Sequence, residues 1–193
     1  ALMDIVEPYE YRHRLSLPKY ILNSTGDEFF LPDSSQFYWR DLVGEKHLRY
    51  VPNSNHSMAD TDIYDSVDAW YHSIVHNVKP PRYSWDLSED GTITVFSIDK
   101  PEKVLLWQAH NPDKRNFTQE VIGKAYSSSP LTESEPGVYK VKLDPPETGF
   151  TAYYVEMHYP SGIETPFKFS TGVKVVPDIT EHTWEFKPDS ARN

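Results

Sequence analysis

Two consecutive prolines, Pro80 and Pro81, set between Lys79 and Arg82, divide this chain into two stretches with different periodicities. A proline lacks the amide hydrogen a helix needs and its ring clashes with the preceding turn, so no helix runs through the pair; two together make a stiff extended connection. Before them the apolar residues recur at helical spacing, and after them they alternate. The sequence therefore divides into residues 1–79, a linker at 80–82, a second unit at 83–178 and a tail at 179–193.

Beyond the linker, β-rich runs recur with turn residues between them. The spacing predicts strands at 83–87, 92–98, 103–109, 116–122, 138–143, 151–159 and 163–170, with an eighth at 173–176. Turns are supplied by Glu89, Asp90 and Gly91, by Asn111, Pro112 and Asp113, by Pro136 and Gly137, by Pro145 and Pro146, and by Ser161 and Gly162. Tyr139, Val141 and Leu143 share one face of their run, as do Tyr153, Val155, Met157 and Tyr159 of theirs. About seven short strands with no helix among them read as a β-sandwich of immunoglobulin or fibronectin type III kind. Trp107 fits the buried tryptophan of such a core. Trp85, Tyr126 and Trp184 are freer to be exposed, which leaves a carbohydrate-binding surface as an alternative.

The first stretch alternates strands and helices. Residues 5–15 read as a short surface helix begun at Pro8. Tyr20, Ile21 and Leu22 form an apolar run that stops at Ser24, Thr25, Gly26 and Asp27, the pattern of a buried parallel strand meeting its C-terminal loop. Asp33 and Ser34 carry helix-start chemistry for a helix at 36–42. A second strand at 46–51 runs into a loop of small polar residues that ends in His56. A helix over 61–77 follows, capped by Asp60 or Thr61, with Ile63, Val67, Trp70, Tyr71, Ile74 and Val78 on one face. The architecture is thus α/β followed by all-β.

Acidic residues at the carboxyl ends of parallel strands face the crevice where ligands bind. Here one strand delivers an acid, Asp27, and the next a base, His56. A serine hydroxyl is a weak nucleophile until a histidine takes its proton, and that histidine needs an acid to fix its tautomer and stabilise the imidazolium. Asp27 followed by His56 fits the last two positions of the order serine, acid, histidine found in α/β-hydrolases. The rival acid is Asp33, which the helix-cap role explains better, and Glu28 is adjacent. No Gly-x-Ser-x-Gly occurs, so the nucleophilic serine has no counterpart in these 193 residues. His72 and His76 stand four apart on a helix, as metal ligands do, but near its C-terminus a solvated histidine is favourable on its own account. No metal or cofactor is expected.

Composition removes other classes. Lysine and arginine total 19 against 29 acidic residues, a formal charge of −10, which makes a phosphate-neutralising surface and nucleic acid poor expectations. The absence of cysteine excludes thiolate catalysis, disulfides and cysteine-ligated zinc. No apolar run has the length to span a bilayer, so no membrane insertion is expected. Asn23 with Thr25, and Asn116 with Thr118, match the glycosylation acceptor, which matters only on a eukaryotic secretory route.

The residues 4–15, Pro18 and Lys19, the string Gly26, Asp27, Glu28, Phe29, Phe30, Leu31, Pro32, Asp33, Ser34, Ser35, then Gly44 to Lys46, Arg49 to Asn53, and His56 are similar to the later half of the PhoPQ-activated pathogenicity-related protein family. The resemblance is strong to about residue 80 and looser beyond it. It implies the C-terminal part of an α/β-hydrolase-like domain followed by an immunoglobulin-like domain, in exported bacterial proteins and some secreted eukaryotic relatives, one of them a repressor of cell proliferation. It also implies a periplasmic or secreted location and a nucleophilic serine in an earlier half. A chain that opens without methionine and runs almost at once into a buried strand reads as a fragment or processed product. Its expected partners are the missing N-terminal half of the hydrolase domain and an ester or amide substrate, or a protein or carbohydrate ligand if the scaffold serves only for binding.

Overall fold

The computed structural model describes residues 2–179, and in them the protein is mostly β-strand, with few helices and no closed barrel. A one-turn helix α1 (Met3–Val6) and a 3₁₀ stretch (Pro8–Arg14) lead to strand β1 (Lys19–Ser24), which pairs in parallel with β2 (Lys46–Val51). The register sets Ile21 beside Leu48 and Ser24 beside Val51, so both strands end level and their following loops emerge side by side. From His47 onward every β2 residue is buried. Helix α2 (Ile63–His76) then packs behind the pair, and Asn77, left-handed at φ 53°, ends it.

The remaining chain runs through β3 (Tyr83–Leu87), β4 (Ile93–Ser97), β5 (Lys103–Asn111), a one-turn helix α3 (Gln119–Ile122), β6 (Ser127–Pro130), β7 (Val138–Val141), β8 (Phe150–Tyr159), β9 (Phe167–Ser170) and β10 (Lys174–Val176). Antiparallel pairing joins β3, β4 and β7 in one sheet, and β10, β8, β5 and β6 in another, with β9 also paired to β8. Strand β8 is buried on both faces. Tyr153, Val155, Met157 and Tyr159 pack with Ile93, Val95 and Tyr139 of the smaller sheet, and Ala69 of α2 joins this cluster. On the other face Ala152 and Tyr154 meet Leu48 and Tyr50 of β2, together with Phe117, Tyr126 and Val175. The first parallel pair and the β-rich remainder therefore share a core. Each fully buried Leu, Val or Phe side chain there contributes about 1.5–3 kcal/mol. Tyr50 N–H also donates to the Ser170 hydroxyl at 2.9 Å.

Several local expectations change. The helix expected at 36–42 is two 3₁₀ turns, Ser34–Phe37 and Trp39–Asp41, interrupted where Tyr38 adopts φ −133°. Asp33 makes no capping hydrogen bond, because its carboxylate is held by Arg115 and Gln36 instead. The strand expected at 116–122 contains α3, which stops at Gly123 with φ 62°. The polar strand β6 carries no apolar alternation to announce it.

On α2 the buried residues are Ser66, Ala69 and Ser73, whereas Val67, Tyr71 and Ile74 of the apolar stripe are exposed. Small side chains let the helix approach the sheet closely enough for Arg49 of β2 to reach the Ser66 hydroxyl and the Asp62 carboxylate. Trp85 is half-buried against both cores rather than free, and Tyr126 is buried. Trp107 is half-buried and donates to Glu156 at 3.4 Å. The tail and Trp184 lie outside the described residues. No helix among the described residues is long and apolar enough to cross a membrane.

Candidate active site

The turn after β1 is fixed by close backbone approach from two sides. Gly26 N–H donates to the Ser54 carbonyl at 2.9 Å, and the Gly26 carbonyl accepts from Gln119 N–H at 3.0 Å. A Cβ at this position would stand 2.8 Å from the Ser54 oxygen and 2.9 Å from the Gln119 nitrogen, so only glycine fits. The next residue, Asp27, is thereby turned inward and is 7% exposed. Its Oδ1 accepts from the backbone amides of Phe29, at 2.8 Å, and Phe30, at 3.2 Å. Its Oδ2 faces His56, whose Nδ1 lies 2.9 Å away.

The histidine loop is tied down equally tightly. Asn53, left-handed at φ 55°, donates from its backbone to the Thr25 hydroxyl at 3.0 Å. Its side-chain amide pairs twice with the Tyr126 backbone, donating to the carbonyl and accepting from the amide, both at 2.9 Å. Glu28 accepts from His56 N–H at 3.1 Å. The loops after β1 and β2 are thus cross-tied to each other and braced by residues 119–126. Beside them, the Asp33 carboxylate, 5% exposed, pairs with Arg115, so an ion pair also ties the same region to the β-rich part.

An ionised carboxylate only accepts hydrogen bonds, so the ring nitrogen facing Asp27 must be the donor: Nδ1 carries the proton. That leaves the lone pair on Nε2, which has no hydrogen-bond partner among the described residues. The acid side chain is 6% exposed and the histidine side chain 51%, so the carboxylate is dry and the imidazole half open to solvent. Phe29 stands edge-on to the ring at 4.9 Å between centroids, and Phe30 is tilted at 6.0 Å. Chemically the pair can accept a proton at Nε2 and stabilise the resulting cation.

The structure thus brings Asp27 and His56 together. Asp33 is committed elsewhere, and Glu28 reaches the His56 backbone rather than its ring. His72 and His76 have rings 4.4 Å apart, but no group of three or more His, Cys, Asp or Glu residues among those described is arranged to hold a metal. A cleft of about 1110 Å³ lies at the opposite ends of β1 and β2, around His47, Pro80, Pro81, Phe96 and Ile98, and has no contact with the Asp27–His56 pair. Sequence reasoning missed Asn53, Arg115 and the two phenylalanines. Of these, only Phe29 and Phe30 left a signal, as bulky apolar residues in a turn.

The family described as PhoPQ-activated pathogenicity-related protein matches residues 1–118. The chain is also similar to autocrine proliferation repressor protein A of Dictyostelium discoideum, at 35% identity over a 205-residue alignment that covers 92% of this chain and 41% of that protein. It therefore spans less than half the length of that relative. No solved structure matches the chain.

Proposed function

The chain belongs to the PhoPQ-activated pathogenicity-related protein family, and from that premise we propose that it supplies the acid and histidine of a serine hydrolase whose nucleophile lies outside these 193 residues. The observation that carries this reading is the 2.9 Å contact from a half-exposed His56 Nδ1 to a buried Asp27. In the proposed reaction His56 Nε2 takes the serine proton as the oxygen attacks an ester or amide carbonyl, then returns it to the leaving group; water repeats the sequence to release the acyl group. Asp27 keeps the tautomer and stabilises the imidazolium without itself taking the proton. On this reading β1, β2 and α2 are the end of an α/β-hydrolase-like domain and β3 to β10 an immunoglobulin-like sandwich. The N-terminal half covers the unpaired edge of the parallel pair and the exposed apolar face of α2, and the protein is exported.

The test is reaction of the parent protein with a fluorophosphonate probe. Labelling of one serine, lost in His56→Ala and reduced by about 10⁴-fold in rate in Asp27→Asn, is expected from the loss of base or tautomer. A folded parent protein that takes up no label overturns the reading.

A second reading is favoured by the relative, whose name describes a repressor of proliferation. In it the scaffold is a secreted signalling or host-interaction module, the sandwich carries the recognition surface and the pair is a structural remnant. An unlabelled but folded protein supports this one.

A further inference from the structure

We propose that Phe29 and Phe30 are the specificity wall of the His56 site and select neutral esters or amides whose acyl group is apolar; this rests on the hydrolase reading above. Neither ring belongs to a hydrophobic core: Phe29 is 71% exposed and Phe30 60%, and Leu31 beside them is 53% exposed. Phe29, Phe30 and Leu31 are thus three consecutive large apolar side chains outside both cores of the described residues. Their backbone, however, is not loose. The amides of both phenylalanines are bound by Oδ1 of Asp27, the same carboxylate that orients His56, so acid, base and wall move as one unit.

Any reacting carbonyl must come within about 3 Å of the serine oxygen that His56 Nε2 deprotonates. With ring centroids only 4.9 and 6.0 Å from that of the imidazole, the substrate's remaining atoms pass over Phe29 or Phe30. Apolar groups there exchange water contact for ring contact, which is favourable in proportion to the area covered. Charge decides the second half of the assignment. The carboxylates that meet this histidine are Asp27, at its ring, and Glu28, at its amide, and among the described residues no lysine or arginine forms an ion pair with either. An anionic acyl chain meets repulsion from these carboxylates, which no lysine or arginine among the described residues pairs with, and a neutral one does not.

The experiment uses the parent protein and p-nitrophenyl acetate, hexanoate and hemisuccinate, with sites counted by fluorophosphonate titration. The expected result is a kcat/KM for hexanoate at least about 10-fold above acetate and far above hemisuccinate. Phe29→Ala with Phe30→Ala should erase most of that preference, chiefly by raising KM for hexanoate, and Phe29→Leu with Phe30→Leu should restore it. A labelled enzyme with no chain-length preference, with a preference for hemisuccinate, or with selectivity untouched by the double alanine variant overturns the wall assignment while leaving the relay standing. No labelling of the folded parent removes the hydrolase reading and this inference with it.

Discussion

Two buried aspartates six residues apart do different work because of what faces them. Asp27 spends one oxygen on two backbone amides and the other on His56, whereas Asp33 is held by Arg115, 82 positions away, and by Gln36. Removing one member of a buried ion pair strands the other, so Arg115→Met should lower stability by about 3–5 kcal/mol in urea unfolding, with part recovered on adding Asp33→Leu. His47 offers a test by pH. Burial between Phe169, Trp70 and Tyr83 drives its pKa below the ordinary 6.5, outweighing the hydrogen bond to Glu45 that acts the other way. The unfolded chain then binds a proton that the folded chain refuses. Stability should therefore fall as pH drops below about 6.5 toward the folded value, by up to ~1.4 kcal/mol per pH unit, and His47→Phe should flatten that part of the profile. At this scale the pairing of Asp27 with His56 was legible because each lies in the loop that follows one of two parallel strands. The partner of Asp33 was not, since nothing in a linear sequence brings residue 115 to residue 33.

The elements that matter most are the turn after β1 and helix α2. Gly26 is pinched between Ser54 and Gln119, so Gly26→Ala must push apart either the histidine loop or α3. A loss of about 1–3 kcal/mol is expected in the same unfolding measurement. On α2 several of the exposed positions are apolar, among them Val67, Tyr71 and Ile74. Tyr71→Glu and Ile74→Lys should each change the stability of this 193-residue chain by no more than about 0.5 kcal/mol, and Ala69→Leu, on the face turned to the core, by about 1–3 kcal/mol. The extent of α2 was readable from its spacing, but its inward face only in part: Trp70 of the apolar stripe packs on the core, whereas Val67, Tyr71 and Ile74 do not. An apolar stripe identifies the side that avoids water only when the small residues opposite are not what the sheet needs, and here Ser66, Ala69 and Ser73 admit the sheet and Arg49. Strand β2 was legible to the residue. Strand β6, made of three serines and a proline, pairs through its backbone alone and leaves no pattern to read.

Across the whole molecule, one β8 face packs on the smaller sheet and the other on β2, so residues before and after the double proline bury one another. Unfolding of this chain should accordingly be a single transition, coincident by tryptophan fluorescence and far-ultraviolet circular dichroism; two separated transitions would show that the parts are independent. The shared core also holds the site, because Tyr126 and Gln119 of the β-rich part brace the loops that carry His56 and Asp27. The ¹⁵N spectrum of the His56 ring reads that pair directly. At a pH where the ring is neutral, a protonated Nδ1 and an unprotonated Nε2 are expected, with that bias lost in Asp27→Ala. An Nε2–H ring, or a tautomer mixture unchanged by Asp27→Ala, would contradict that pairing.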